Sequence, residues 1–260
     1  MRSPRMTDLR IGCSGWAYKD WRGPFYPPEV KVKGQLAYYA TRFSTAEINA
    51  SFYRLPTETA VRAWRDAVPP GFLFAWKASR FLTHNKKLND PKDSLELILG
   101  RMEGLGEAFG PILFQLPPML RPNQARLAAF LALLPRGRRA TVEFRHPSWY
   151  APEILALLAE YDVSLCLSDH HAAPAPWETT ASWVYVRAHG PGGRYRGRYP
   201  DADLEALAQR IDGWRGAGKD VFCYFDNDIK SAAPQDAARL LQLCATIESG
   251  SPLKGPRPTR

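Results

Sequence analysis

The sequence predicts an α/β protein folded as a single closed (βα)8 barrel. Three observations carry this: eight short β-type runs alternate with segments of helical periodicity, the 260-residue length suits one such barrel, and nearly every run ends in polar or charged residues. Strands are expected at residues 9–13, 45–49, 73–77, 112–115, 140–145, 163–168, 182–188 and 220–225. Between them, apolar residues recur at three- and four-residue steps: Leu95, Leu97, Ile98, Met102 and Leu105; Leu127, Phe130, Leu131 and Leu134; Ile154, Leu157, Leu158 and Tyr161; Leu204, Leu207, Ile211 and Trp214. These stripes are the helix faces expected to pack on the barrel. Eight repeats favour closure over an open doubly wound sheet. The sixth unit is the exception, because HHAAPAPWETTA (residues 170–181) shows no helical pattern and is expected to be an irregular loop. The barrel domain is placed at residues 8–248, with an N-terminal tail at 1–7 and a disordered basic C-terminal tail at 249–260.

Composition bounds the class. Hydrophobic residues make up 45% and charged residues 23%, so a core can form without disulfide or metal support. The four cysteines have no CxxC spacing and are expected to be reduced and buried. No apolar run reaches 18 residues and the first residues lack a signal-peptide core, so a soluble, cytoplasmic protein with no membrane partner is expected. A net charge of +9 favours an anionic partner, although Arg2, Arg5, Lys254, Arg257 and Arg260 place part of that excess in the tails.

Six motifs resemble one family. GCSGWAYKDWRGPFYP (residues 12–27), EINASFYRLP (47–56), FAWKASR (74–80), ILFQLPP (112–118), VEFRHPSW (142–149) and YFDND (224–228) occur in order and span nearly the whole chain. They are similar to the signatures of the domain of unknown function 72 family. The resemblance implies an α/β barrel of the triosephosphate-isomerase type, in agreement with the strand count, and assigns no catalytic role to any position.

In such a barrel the strand C-termini build the active site. Here they supply Ser14 and Trp16, then Glu47 and Asn49 with Tyr53 beyond, Lys77, Gln115, Glu143 with Arg145 and His146, Asp169 with His170, Arg187 with His189, and Asp226, Asn227 and Asp228. Side chains alternate along a strand, so Glu47 and Asn49 share a face, as do Glu143 and Arg145, and Arg187 and His189. Charges inside an apolar strand are costly unless paired or hydrated, so the rim is either a ligand site or a closed ion-pair network that serves structure. The candidate acid–base residues are Glu143 with Glu47 or Asp169; Lys77, Arg145 and Arg187 are the candidate anion-binding cations. Trp16, Asn49, Tyr53, Gln115, His189, Asp226 and Asn227 are further candidate substrate contacts. HGPGGRYRGRYP (residues 189–200) adds Arg194, Arg196 and Arg198 as a candidate substrate lid, the alternative being a solvated loop.

Glu47, Glu143, Asp169, His189 and Asp226 are metal-ligand types, but no HxH or HExxH spacing is present and the rim cations compete for the carboxylates. No metal ligand is therefore assigned and no cofactor is predicted, with a divalent metal kept as an alternative. The phosphate loop, the dinucleotide fingerprint and the GxSxG elbow are absent from any suitable setting. The leading expectation is a hydrolase or isomerase acting on a small anionic or sugar-like ligand, phosphate- or hydroxyl-bearing. The alternative is a nucleic-acid binder or a metal-assisted phosphodiesterase-like hydrolase.

Overall fold

A computed structural model describes residues 7–250. Eight parallel strands close in chain order into one barrel: β1 (Leu9–Ser14), β2 (Thr45–Ile48), β3 (Leu73–Lys77), β4 (Phe109–Gln115), β5 (Ala140–Glu143), β6 (Ser164–Ser168), β7 (Trp183–Ala188) and β8 (Asp220–Phe225). Eight α-helices are described: α1 (Gln35–Ala40), α2 (Ala50–Tyr53), α3 (Glu58–Asp66), α4 (Lys92–Met102), α5 (Gln124–Leu131), α6 (Pro152–Glu160), α7 (Asp201–Gly216) and α8 (Ala232–Glu248). The expected barrel is present, and each strand lies within two or three residues of its expected bounds. The residues 1–6 and 251–260 of the expected tails lie outside the described residues.

Parallel strands covered on both faces must be apolar outside and filled inside. Outward-facing Ile11, Cys13, Ile48, Phe74, Trp76, Val142, Leu165 and Val186 join the helix stripes in one large core. Inward-facing Ala75, Leu113, Cys166, Trp183, Tyr185, Phe222 and Tyr224 form a second, smaller one. All four cysteines are free and buried.

Two stripe residues depart from expectation. Leu97 is 58% and Tyr161 38% exposed. Leu95, Ile98 and Met102 recur at three- and four-residue steps on the buried side of α4, and Leu97, two residues after Leu95, falls on the opposite side. Tyr161 is the C-cap of α6, past the packed turns.

Between β6 and β7 no helix covers the barrel, as expected for the Pro174 and Pro176 segment. There the strands' outer residues Leu167, Val186 and Phe225 border a cavity of about 350 Å³ closed by α7 and by Trp177, whose ring meets Trp214 and Arg210. Among the described residues no helix is long and apolar enough to cross a membrane.

Candidate functional site

The inner core ends in a polar tier. Tyr185 and Tyr224 pack 5.1 Å apart at mid-barrel, and their hydroxyls reach Glu47 Oε2 at 2.6 Å and Thr45 Oγ1 at 2.7 Å. Directly above lies Arg187, fully buried and bound to three carboxylates. Its Nε and Nη2 grip Glu47 at 3.1 and 2.8 Å, Nη1 meets Glu143 Oε2 at 3.0 Å, and Nη2 meets Asp226 Oδ2 at 2.7 Å.

Every oxygen of Glu47 and Glu143 is engaged. Glu47 also accepts from Ser14 Oγ, while Glu143 takes Arg145 at 2.6 Å, Gln115 at 2.8 Å and Ser168 at 3.3 Å. Burial by itself would raise both carboxyls. For Glu47, Arg187 and Lys77 outweigh burial and hold it below the ordinary range; for Glu143, Arg145 and Arg187 hold it well below. Such an arrangement matches the ion-pair reading of the rim for these two residues. Glu143→Gln should therefore destabilise the fold by about 3 kcal/mol, because it leaves Arg145 and Arg187 under-compensated in a buried setting. A melting temperature within about 2 °C of wild type would show instead that Glu143 is free for other work.

His189 is fully buried and sits between the two tiers. Its Nδ1 lies 3.1 Å from Asp169 Oδ1, and its Nε2 faces Arg187 Nη1 at 3.1 Å and Arg145 Nη2 at 3.3 Å. Guanidinium nitrogens only donate, so the network assigns the hydrogen to Nδ1, donating to Asp169. Asp169 thus orients His189, accepting also from its backbone N at 2.7 Å and from Tyr199 OH.

The loop after β7 is tied down. Tyr195 OH accepts from Arg145 Nη1 at 2.7 Å, its ring meets His189 edge-on at 4.9 Å, Gly190 N donates to Tyr199 OH, and Asn227 Nδ2 donates to Gly197 O. Gly190 and Gly193 have positive φ, and a Cβ at either would lie 2.2–2.4 Å from backbone oxygens of Arg196 or Asp169. Tyr195 itself adopts φ 62°, a strained conformation that costs about 1–2 kcal/mol and is held by these contacts.

Above the saturated tier, the rim is different. Asn49 Oδ1, Arg145 Nε and Asp228 Oδ1 are buried atoms with no hydrogen-bond partner among the described residues. Lys77 Nζ lies 4.5 Å from the centroid of the Phe52 ring, with Lys77, Gln115, Arg145 and Asp226 only 7–8% exposed. Asp226 and Asp228, two residues apart beyond β8, line a cavity of about 350 Å³ with Tyr18 and Tyr195. Burial and the neighbouring Asp226 carboxylate push the Asp228 carboxyl well above the ordinary range. Burial, with Arg145 for His170 and Lys77 for His84, pushes these two imidazoles down to about 3 and about 4.

Several expected contacts lie elsewhere. Trp16 packs against Trp64 and Phe74 in the outer core, because its strand end turns over β3. Tyr53 ends α2 with 73% exposure, and Asn227 staples the loop after β7 to Asp236 at 2.8 Å. Arg194, Arg196 and Arg198 all face solvent; Arg198 pairs with Asp236 at 3.3 Å, and with Arg196 and Lys230 it borders an outer cavity of about 600 Å³. Among the described residues no three His, Cys, Asp or Glu side chains converge to hold a metal, since Arg187 lies between Glu47, Glu143 and Asp226. Strand-end position points to Ser14 but not to Tyr195, Ser168 or Tyr185. Their hydroxyls become site atoms only through contacts 21 to 138 residues away in sequence.

Residues 10–259 match the family model described as "Protein of unknown function DUF72". A curated relative, the UPF0759 protein YunF of Bacillus subtilis (strain 168), is 25% identical over 279 residues, covering 93% of this chain and 96% of that protein. The crystal structure of a DUF72 family protein from Thermotoga maritima MSB8 superposes with a TM-score of 0.82 at 25% identity, covering 92% of this chain and 99% of the other. A DUF72 family protein from Enterococcus faecalis V583 shares the fold at a TM-score of 0.77 and 19% identity, covering 91% and 95% of the two chains.

Proposed function

Because the chain belongs to the DUF72 family, whose matched description assigns no reaction, we propose from the site itself that it is an enzyme acting on a small polyhydroxylated or anionic ligand at the barrel mouth. The observation that carries this is the contrast between tiers: Glu47, Glu143 and Arg187 are fully engaged with one another and their neighbours, whereas Asn49 Oδ1, Arg145 Nε and Asp228 Oδ1 have no hydrogen-bond partner among the described residues. Unmatched buried donors and acceptors are rare and cluster where ligands bind.

In this reading the lower tier holds the cations in place. Asn49 Oδ1 accepts from a ligand hydroxyl and Arg145 Nε donates to a ligand oxygen. Asp228, kept protonated, donates a proton, and Asp226 beside it receives one, a division of labour that suits hydrolysis or isomerisation. The acid–base role expected of Glu143, Glu47 and Asp169 thus passes to the pair beyond β8, which keeps access to a cavity.

Thermal-shift measurements with a panel of sugars, polyols and their phosphates test the reading. A ligand at a hundred times its Kd should add about 2.7 kcal/mol of stability, and the shift should vanish in Asn49→Ala. If no ligand shifts the wild type, or the shift is the same in Asn49→Ala, the mouth is not the site. Oligonucleotide binding that collapses with salt and shows no turnover would replace the enzyme reading.

The outer arginines allow a second test. Replacing Arg194, Arg196 and Arg198 together with Ala should weaken phosphorylated ligands about tenfold relative to their unphosphorylated counterparts. Fold stability should change little, since these side chains are solvent-facing and Asp236 keeps its hydrogen bonds from Asn227 and Tyr199. An equal effect on both ligand types would leave the loop without an anion-binding role.

A further inference from the structure

Lys77 is the one rim cation to which the roles above assign no work. It ends β3 and is 8% exposed, yet its ammonium forms no hydrogen bond and no ion pair within 4 Å with a described residue. Its close neighbour is the face of Phe52 on α2. The charged groups acting on it are Arg187 from β7, Asp226 beyond β8, Glu47 from β2 and Glu143 from β5; His84, in the π-helical turn Phe81–Asn85, senses its charge in return. Arg187 binds all three of those carboxylates, so none is left closely paired with the lysine.

We propose that Lys77 is a reactive amine that condenses with the carbonyl group of an aldehyde or ketone ligand bound at the mouth. The inference rests on the reading of the mouth as a ligand site and adds the ligand's chemical class. An amine is nucleophilic only when deprotonated, and a lysine placed in an apolar pocket beside another cation loses its proton most easily. Burial at the rim and the Arg187 guanidinium supply desolvation and the second cation. Burial first and Arg187 second push the Lys77 ammonium down to about 8.

The step balances without an oxidant or reductant. The nitrogen lone pair attacks the carbonyl carbon, the N–C bond forms, and the C=O π pair moves to oxygen. Two protons then pass from nitrogen to oxygen, the oxygen leaves as water, and a C=N bond remains. In the reading of the mouth given above, Asp228 gives a proton to the departing oxygen and Asp226 receives one from the nitrogen.

Glyceraldehyde with sodium cyanoborohydride, applied to the full chain and followed by peptide mass spectrometry, reads this directly. At pH 7 the Lys77 adduct should form about tenfold faster than adducts at exposed Lys31, Lys87 and Lys92, because burial and Arg187 leave Lys77 a larger neutral fraction. Its rate should level off as the pH passes about 8, while the exposed lysines continue to rise. Lys77→Arg should abolish the fast adduct. The wild-type comparison decides even if that variant folds poorly. Labelling of Lys77 at the rate of the exposed lysines, or with their pH dependence, overturns the proposal. An unreactive Lys77 together with ligand-induced stabilisation overturns the amine alone and leaves the mouth a ligand site, whereas absence of both overturns both.

Discussion

Arg187→Met is expected to lower stability by about 3–5 kcal/mol, or roughly 10 °C in melting temperature, because it leaves Glu47, Glu143 and Asp226 around an apolar side chain. The pH dependence is the sharper test. In the wild type Glu47 and Glu143 are held below the ordinary carboxylate range, so the stability they contribute is complete above their unfolded value near 4.3 and is lost as pH falls through the lower folded values. In the variant burial dominates for Glu47, whose folded value rises above the unfolded one. Its stability contribution is then present at low pH and lost as pH rises through that folded value. The gap between the two proteins should thus narrow on acidification from pH 7 toward pH 5. Urea unfolding across that range measures it; a loss under about 1 kcal/mol, or parallel pH profiles, would mean that Arg187 is not the electrostatic centre of the barrel.

Asp228→Asn should reduce turnover of a ligand found by the thermal-shift panel by about 10²–10⁴-fold, the usual scale of a positioned proton donor. Folding should survive, because the amide has the carboxyl's shape and the backbone carbonyl of Asp228 still accepts from Trp21 Nε1. Here the linkage runs in the opposite direction from that of Glu47. A carboxyl raised by burial and by Asp226 contributes stability that is fully present below its unfolded value and is lost as pH rises through its folded value. Asn carries no such loss, so the variant should equal or exceed the wild type in melting temperature at alkaline pH. The alkaline limb of the kcat/KM profile should vanish with the same substitution. Undiminished turnover would remove Asp228 from the chemistry, and a large loss of stability at neutral pH would make its role structural.

Much of this architecture is legible in the chain because it rests on local rules. Period-two alternation and β-branched or aromatic runs mark the eight strands, and the same alternation puts Glu47 with Asn49, Glu143 with Arg145, and Arg187 with His189 on common faces. The two prolines at 174 and 176 announce the absence of a helix between β6 and β7. Other assignments depend on which surfaces meet. Trp16 reads as a mouth aromatic from its position after β1, but Trp64 and Phe74 capture it on the outside. The roles of the carboxylates are decided in the same way. Glu47, Glu143 and Asp228 are all strand-end acids in the sequence, yet Arg187, 140 residues from Glu47 and 44 from Glu143, saturates the first two, while burial and Asp226 push the third above the ordinary carboxylate range. Periodicity along one strand determines which face a side chain occupies. Its charged neighbours and its distance from water are set by closure of the barrel, and those two quantities decide whether a carboxyl is an anchor or an acid.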